Sequence, residues 1–234
     1  MTETRTEARA AAGPSDLAEI FYAPTDVFER RREGGFWLPL IVLFIASAII
    51  YYATKNVMQP VFDADWARGV ARMREQNPNI TPEQLEQAKG MAQTFGIVGI
   101  FFATFLGPLI AGVVLWLVAK MFGVRQSITA AVTVAVFALF PFIIEGLFNA
   151  IQAAVMSEES ITSRYSLSLG PARFLAGPAS KMHALVGHID VFTIWTAVLI
   201  AIGVRVTGNA TRNQAIGVAV VMWILGALPA LMFT

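Results

Sequence analysis

The chain has 234 residues, of which 56% are hydrophobic and 14% are charged. Soluble domains carry about a quarter charged residues. Here the missing charge is missing in long blocks, which is typical of segments that lie in lipid. The formal net charge is +1, and no clustered basic face is present, so the sequence predicts no nucleic-acid partner. The absence of Cys excludes disulfide bonds, thiol catalysis and cysteine-ligated metal.

The beginning of the chain is polar. Residues 1–14 are rich in Ala and charged side chains, and we predict a disordered tail. Residues 1–35 contain no short apolar core of the kind found in cleavable signal peptides. The first apolar run begins at Phe36 and is long enough to span a bilayer. We therefore expect it to serve as an uncleaved anchor.

Residues 15–35 place apolar side chains among acids and bases, which predicts an amphipathic cytoplasmic segment at the membrane surface. Pro24 should divide it into two short helices, with Thr25 capping the second. A basic cluster precedes the first apolar run and comprises Arg30, Arg31 and Arg32. The cluster is predicted to contact membrane lipid headgroups. The alternative is a solvated tail whose positive charges only set the topology.

Five long apolar segments predict an all-α fold, a polytopic membrane protein with a five-transmembrane-helix bundle. The membrane domain is predicted over 36–234, with spans at about 36–54, 95–121, 128–154, 189–207 and 215–233. Trp37 and Tyr51 lie near the two ends of the first span, where interfacial aromatic side chains are common.

Two long polar connections separate these spans, at 55–94 and 155–188. In the first, Thr81-Pro82-Glu83-Gln84 has the pattern of a helix start, and this helix is expected to run directly into the second span. Asp65–Gln76 is also expected to be helical, so the excursion is predicted to be a structural hairpin. In the second connection, apolar residues alternate with serines over 165–169, which favours a short extended piece.

Positive charges predict the orientation, because Lys and Arg concentrate in short cytoplasmic connections. The N-terminal segment and the two tight connections carry Arg30, Arg31, Arg32, Lys120, Arg125, Arg205 and Arg212. The two long connections carry a more dispersed set, Lys55, Arg68, Arg72, Arg74, Lys89, Arg164, Arg173 and Lys181. The difference in density predicts a cytoplasmic N-terminus, an extracytoplasmic C-terminus and extracytoplasmic loops at 55–94 and 155–188.

Prolines and small residues inside the spans predict how the helices bend and pack. Pro108 in the second span and Pro141 in the third are expected to kink their helices. Small residues recur every four positions in the second span, at Ala103, Gly107 and Ala111. This spacing lets another helix approach closely, either within one chain or between copies in a homo-oligomer.

Ionisable residues inside a span mark candidate sites, because an acid at the bilayer centre costs about 2.5–3.5 kcal/mol. Glu145 is internal to the third span, and Asn149 and Gln152 lie on the same helix face. Asp190 at the start of the fourth span and His188 beside it are expected at the same outer level. Together these five residues predict a polar, outward-facing cavity that binds an ion, a headgroup or a small solute.

The alternative is structural, with Glu145 and Asp190 paired by hydrogen bonds or wetted by solvent so that they fix helix packing. A metal site using His183 and His188 has little support, because two histidines five positions apart are not a recognised ligand spacing. The sequence contains no G-x-S-x-G, Walker A or G-x-G-x-x-G motif. We therefore predict no catalytic residue, no cofactor and no metal.

Several short segments resemble the bacterial branch of the Yip1 family of integral membrane proteins. They are FYAPTDVFER at 21–30, Phe140-Pro141 in the third span, and Asp190-Val191-Phe192 with Ile194-Trp195 and Gly203 in the fourth. The resemblance implies a five-span membrane fold from about Phe21 onward, and the family's eukaryotic members are linked to vesicle traffic and Rab-type GTPases. It implies no catalytic residue set. The polar excursion at 56–94 departs from a minimal core of this family.

Three functions follow as hypotheses. The first is a non-enzymatic membrane protein of the Yip1 type with an organising or adaptor role, placed by the resemblance in the bacterial inner membrane. Its partners would be membrane lipid, a second copy of the chain or an unidentified protein. The alternative is a small transporter or channel component with a polar cavity around Glu145 and Asp190. A membrane-embedded enzyme is the third and least favoured hypothesis.

Overall fold

The structure is a computed structural model that describes residues 13–161, 163–175 and 180–232, without the side chains of 158 and 229–232. The predicted tail at 1–14 thus lies almost entirely outside the described residues. The described chain is all-helical. Its α-helices are α1 (Pro14–Glu19), α2 (Pro24–Arg30), α3 (Trp37–Thr54), α4 (Gln59–Gln76), α5 (Pro82–Met121), α6 (Ile128–Ala138), α7 (Pro141–Val155), α8 (Lys181–Gly187), α9 (Val191–Thr207) and α10 (Arg212–Met232).

Three helical segments are long and apolar enough to cross a membrane, namely α3, α5 and the α6–α7 pair over Ile128–Val155. The α8–α9 pair is bent by 52° and adds a fourth if it counts as one span. Helix α10 is apolar over Arg212–Leu228, the part whose side chains the structure describes, and its backbone continues to Met232. The all-α prediction is confirmed, and the count of five spans stays a prediction.

Two compact units make up the chain. The first contains the chain up to Leu43, Pro108–Phe140 and Thr196–Met222. The second contains Phe44–Gly107, Pro141–Trp195 and the chain from Trp223 onward. All the basic residues that the sequence assigns to the cytoplasmic side belong to the first unit, and all those that it assigns to the other side belong to the second.

Helix α6 is the core of the first unit. Every residue over Ala130–Ala138 is buried, and four of these nine are alanines. A helix that is apolar and buried all round needs neighbours on every side. Its polar member, Thr133, donates its hydroxyl hydrogen to the carbonyl of Thr129 at 2.8 Å, so no hydroxyl is left unsatisfied there. The Ser127 hydroxyl caps the helix by accepting from the N–H of Ala130.

Glycines on the neighbouring segments let them approach α6 closely. A Cβ placed on Gly112 of α5 would lie 2.5 Å from the Cα of Val132. A Cβ on Gly203 of α9 would lie 2.5 Å from a methyl group of Val134. Both distances are far below van der Waals contact, so a side chain at either position would force its neighbour to shift. Small residues at helix crossings are the usual way in which membrane helices pack.

The N-terminal helices also pack on this core. Phe28 of α2 meets Phe137 edge to face, with ring centroids 6.2 Å apart, and Phe21 contacts Phe140. Ile20, Val27 and Phe28 are completely buried. The break near Pro24 is confirmed, whereas the Thr25 cap is wrong, because α2 begins at Pro24 without a side-chain cap. The apolar face of this segment contacts protein.

In the second unit, α4 and the first half of α5 form a helical hairpin. The N–H of Thr81 donates to the Gln84 side chain, and the N–H of Gln84 donates to the Thr81 hydroxyl, which completes the predicted capping box. Lys89 of α5 lies 3.6 Å from Asp63 of α4. From this cap α5 runs without interruption for 40 residues, a length of about 60 Å. The predicted continuous helix is confirmed, and Pro108 lies inside it.

Two expectations about local backbone structure need correction. Pro141 does not sit inside one continuous helix, because α6 ends at Ala138 and α7 begins at Pro141. Pro141 has no N–H to donate to the carbonyl of Phe137, and that carbonyl accepts the N–H of Phe140 at 3.2 Å in a tighter turn. The predicted extended piece at 165–169 is wrong, because Arg164–Leu167 forms a 3₁₀ turn.

The close approach of α5 to α6 can be tested with two alanine substitutions in α5. Gly112→Ala forces a methyl group into the backbone of Val132 and should destabilise the protein by about 1–3 kcal/mol. Gly107→Ala is the matched control, because no atom lies within 4 Å of its Cβ position. It should be neutral or stabilising by up to about 1 kcal/mol. Thermal unfolding of the purified protein measures both, and equal effects would contradict the packing described here.

Candidate functional site

Asp190, predicted to face a polar cavity, caps helix α9 and ties down a loop. Its carboxylate accepts the N–H of Phe192 at 2.8 Å and the N–H of Leu169 at 3.1 Å. It also accepts the Ser168 hydroxyl at 3.3 Å. Asp190 as a whole residue is only 4% exposed. Since both carboxylate oxygens are engaged, the geometry of Asp190 is that of a structural N-cap.

Glu145 is hydrogen-bonded to Asn149, one turn further along α7. The two therefore lie on one face, as their spacing predicts. A cavity of 710 Å³ in the second unit is lined by Asn149 and Gly146 of the same helix. Glu145 and Asp190 are not among the residues that line it. The structure thus connects only Asn149 of the five predicted residues with this cavity.

Gln152 and His188 also have specific partners. The Gln152 side chain donates to the carbonyl of Leu167 at 2.8 Å and accepts from Arg173 at 2.9 Å, which joins α7 to the following loop. His188 packs against the Trp223 ring, and its Nε2 lies 2.7 Å from the Trp223 carbonyl. Each side chain thus bridges two segments of the second unit, and a role in ligand binding stays a prediction.

Most of the small-residue stripe of α5 has no described helix packed against it. No atom lies within 4 Å of a Cβ built on Gly107, and Ala103 is exposed. Ala111 is half-buried, and its neighbour Gly112 makes the close contact instead. Within the described chain, no helix packs closely against Gly107. Packing of the stripe against a helix of another copy stays a prediction.

The three N-terminal arginines have different environments. Arg31 is 4% exposed, and its guanidinium donates to Asp16 at 2.7 Å from Nε. Arg30 donates to the other Asp16 oxygen and to Glu19, and these two carboxylates raise the pKa of Arg30. Arg31 is therefore a buried ion-pair residue in this structure, where headgroup contact was predicted. Arg32 is exposed.

Arg32 borders a cleft of 480 Å³ in the first unit. Arg205, from the last turn of α9, lines the same cleft. Glu29, Thr25 and Asn209 contribute further polar groups. Sequence reasoning placed both arginines on one side of the membrane but did not bring them together, because they are far apart in the chain. It also missed Asp16, although an acid one short helix before an arginine cluster is a recognisable signal for an ion pair.

The capping role of Asp190 predicts a graded response to substitution. Asp190→Ala leaves two backbone N–H groups without acceptors and should destabilise the protein by about 1–3 kcal/mol. Asp190→Asn keeps one oxygen and should recover part of that loss. Glu145→Gln serves as the comparison, because Gln retains a hydrogen-bonding partner for Asn149. Unfolding temperatures at neutral pH measure all three, and a stable Asp190→Ala variant would contradict the capping role.

Comparison with known proteins gives a relative and a family. The chain is 25% identical over 216 residues to the membrane protein YknW of Bacillus subtilis (strain 168), an alignment that covers 91% of this chain and 87% of YknW. No solved structure matches the chain. The Yip1 domain model matches residues 18–233, which include the N-terminal helix α2 and the whole of the helical chain that follows it. This chain therefore belongs to the Yip1 family and is a membrane protein.

Proposed function

We propose that this chain is a non-enzymatic membrane protein of the Yip1 type that organises other membrane proteins as an adaptor and contacts lipid. The proposal places it in a bacterial inner membrane as five spans, with a cytoplasmic N-terminus and an extracytoplasmic C-terminus. The observation that supports the adaptor role is the exposed apolar face of α5.

Large apolar side chains line one face of α5 without covering partners. Phe95 is 70% exposed and Phe102 59%. Gly99 lies between them and Gly107 follows, and no described atom approaches the Cβ position of either glycine. The steps of four and three residues put Phe95, Gly99 and Phe102 on one helical face. Bulky side chains that flank small ones form the ridges and grooves that a second membrane helix fits.

The burial of α5 differs from that of the α6–α7 pair, and this difference supports the choice of α5 as the adaptor surface. Only 11% of the apolar window of α5 is buried, against 56% for Ile128–Val155. Lipid alone would accept an exposed apolar face, but it does not require two glycines there, which cost helix stability. Three residues of the transporter alternative, Asp190, Gln152 and His188, have hydrogen-bond partners inside the second unit. They therefore favour structural roles over a route for a solute.

The orientation is testable because the chain contains no Cys. Asn79, in the turn of the α4–α5 hairpin, and Asn213, at the start of α10, are both exposed. Asn79→Cys should react with a membrane-impermeant maleimide added to intact cells or spheroplasts. Asn213→Cys should react only after the membrane is permeabilised, because the charge density puts it on the cytoplasmic side. The reverse pattern would invert the proposed topology.

The adaptor surface is testable by cross-linking in native membranes. Ala103→Cys and Gly107→Cys should each give cross-linked products, either disulfides between copies or adducts to another protein through a thiol-attached photoprobe. Ile41→Cys on α3 is the matched control, because Ile41 is 45% exposed and its neighbours on the same helix face are all large, namely Trp37, Leu38, Phe44 and Ile45. It should give no discrete product.

The outcomes of this experiment separate the occupants of the surface. Disulfides between copies would identify a homo-oligomer, whereas a discrete heavier adduct would identify a protein partner. If all three variants give only lipid adducts, α5 is a lipid-facing helix and the adaptor proposal is contradicted.

A further inference from the structure

The 480 Å³ cleft of the first unit brings together groups from distant parts of the chain. Arg32 follows α2, Arg205 ends α9, and Asn209 lies in the turn before α10. Both arginines are exposed, so their guanidinium groups reach solvent. The neighbouring backbone is well ordered by hydrogen bonds, since the N–H of Gly208 donates to Val204 and the N–H of Ala210 donates to Arg205. Two carbonyls in the last turn of α9, those of Val204 and Arg205, therefore have backbone donors.

These two arginines differ from the neighbouring pair in their lack of acidic partners. Arg30 and Arg31 share the carboxylate of Asp16. The side chains of Arg32 and Arg205 make no hydrogen bond or ion pair within the part of the chain that the structure describes. One acid, Glu29, lines the cleft with them, which leaves a formal charge of +1. Two guanidinium groups without counterions make a natural receptor for phosphate oxygens.

The position of the cleft favours a lipid as the source of that phosphate. Arg205 ends the apolar helix α9, and Arg32 shortly precedes the apolar helix α3. Arginines at the ends of spans lie at the level of lipid headgroups. Two apolar side chains, Ile202 and Val206, also line the cleft. A free phosphate ion would make no use of them, whereas the glycerol and first methylene groups of a phospholipid would contact them.

We propose that this cleft binds the headgroup phosphate of an anionic phospholipid, with Arg32 and Arg205 donating to its oxygens. This inference rests on the lipid contact of the proposed function. It assigns that contact to Arg32 of the N-terminal cluster and to Arg205 of α9, in place of the whole cluster. The positive charge of the cleft repels the cationic headgroups of zwitterionic lipids, so the site should discriminate against them.

The test measures which lipids stay with the purified protein. The full chain is reconstituted in equal amounts of phosphatidylglycerol and phosphatidylcholine, extracted in mild detergent, washed, and analysed for bound lipid by mass spectrometry. Wild type should retain phosphatidylglycerol several-fold over phosphatidylcholine. The double variant Arg32→Gln/Arg205→Gln should lose that preference. The control Arg125→Gln/Arg212→Gln removes the same charge from two exposed arginines of the same unit that do not line the cleft, and it should keep the preference.

A second measurement guards against misfolding and separates the sources of phosphate. Phosphatidylglycerol in nanodiscs should raise the unfolding temperature of wild type and the control but not that of the cleft variant, because a ligand stabilises only a state that binds it. Inorganic phosphate at millimolar concentration should have little effect. Equal lipid retention by wild type and a folded cleft variant would overturn the proposal. Stabilisation by inorganic phosphate without lipid preference would overturn the lipid assignment.

This experiment is independent of the cross-linking on α5. Loss of lipid preference in the cleft variant leaves the cross-links of Ala103→Cys and Gly107→Cys unchanged. Failure of those cross-links would remove the adaptor role while leaving lipid binding in the cleft intact.

Discussion

Close packing around a buried, alanine-rich helix is the constraint on which the first unit depends. Inside a bilayer the hydrophobic effect does not drive helices together, because lipid tails are as apolar as the side chains. What remains is van der Waals contact, which requires that backbones approach closely. Helix α6 meets this need with four alanines among its buried residues and with glycines on the helices that face it. Gly112 and Gly203 are therefore structural requirements of this arrangement.

The arginines of the first unit have two kinds of environment, paired with an acid or without an acidic partner. One carboxylate, Asp16, is nearly inaccessible and engages two adjacent arginines, which anchors α1 to the end of α2. Buried ion pairs of this kind contribute less to net stability than to specificity of arrangement, because both charges lose their hydration. The guanidinium groups of Arg32 and Arg205 have no acidic partner in the described chain, so they can contact other molecules. Sequence adjacency hides the difference between Arg31 and Arg32, and only the direction of each side chain separates them.

Whether a feature could be predicted from the sequence depended on how far apart in the chain its interacting residues are. The capping box at Thr81 and the division of the N-terminal segment at Pro24 were predictable, because both follow from neighbouring residues. The environment of the same N-terminal segment was not, since an apolar helix face looks the same whether it will meet lipid or Phe137. The small-residue stripe could not be placed for a similar reason: Gly107 and Gly112 are both glycines of α5, yet within the described chain only Gly112 closely approaches another helix. Packing of the stripe between copies stays a prediction.

Docking of α1 and α2 onto α6 has a consequence for biosynthesis. The ribosome makes the N-terminal segment first, but the aromatic residues that receive it, Phe137 and Phe140, emerge only after α3, α4 and α5. Until then Phe21 and Phe28 lack the aromatic rings that they contact in the folded chain. Helices α1 and α2 must therefore dock well after their own synthesis, once α6 has entered the membrane. An interval of this length exposes an apolar, charge-bearing segment at the membrane surface, where lipid or a chaperone can hold it until its own core arrives.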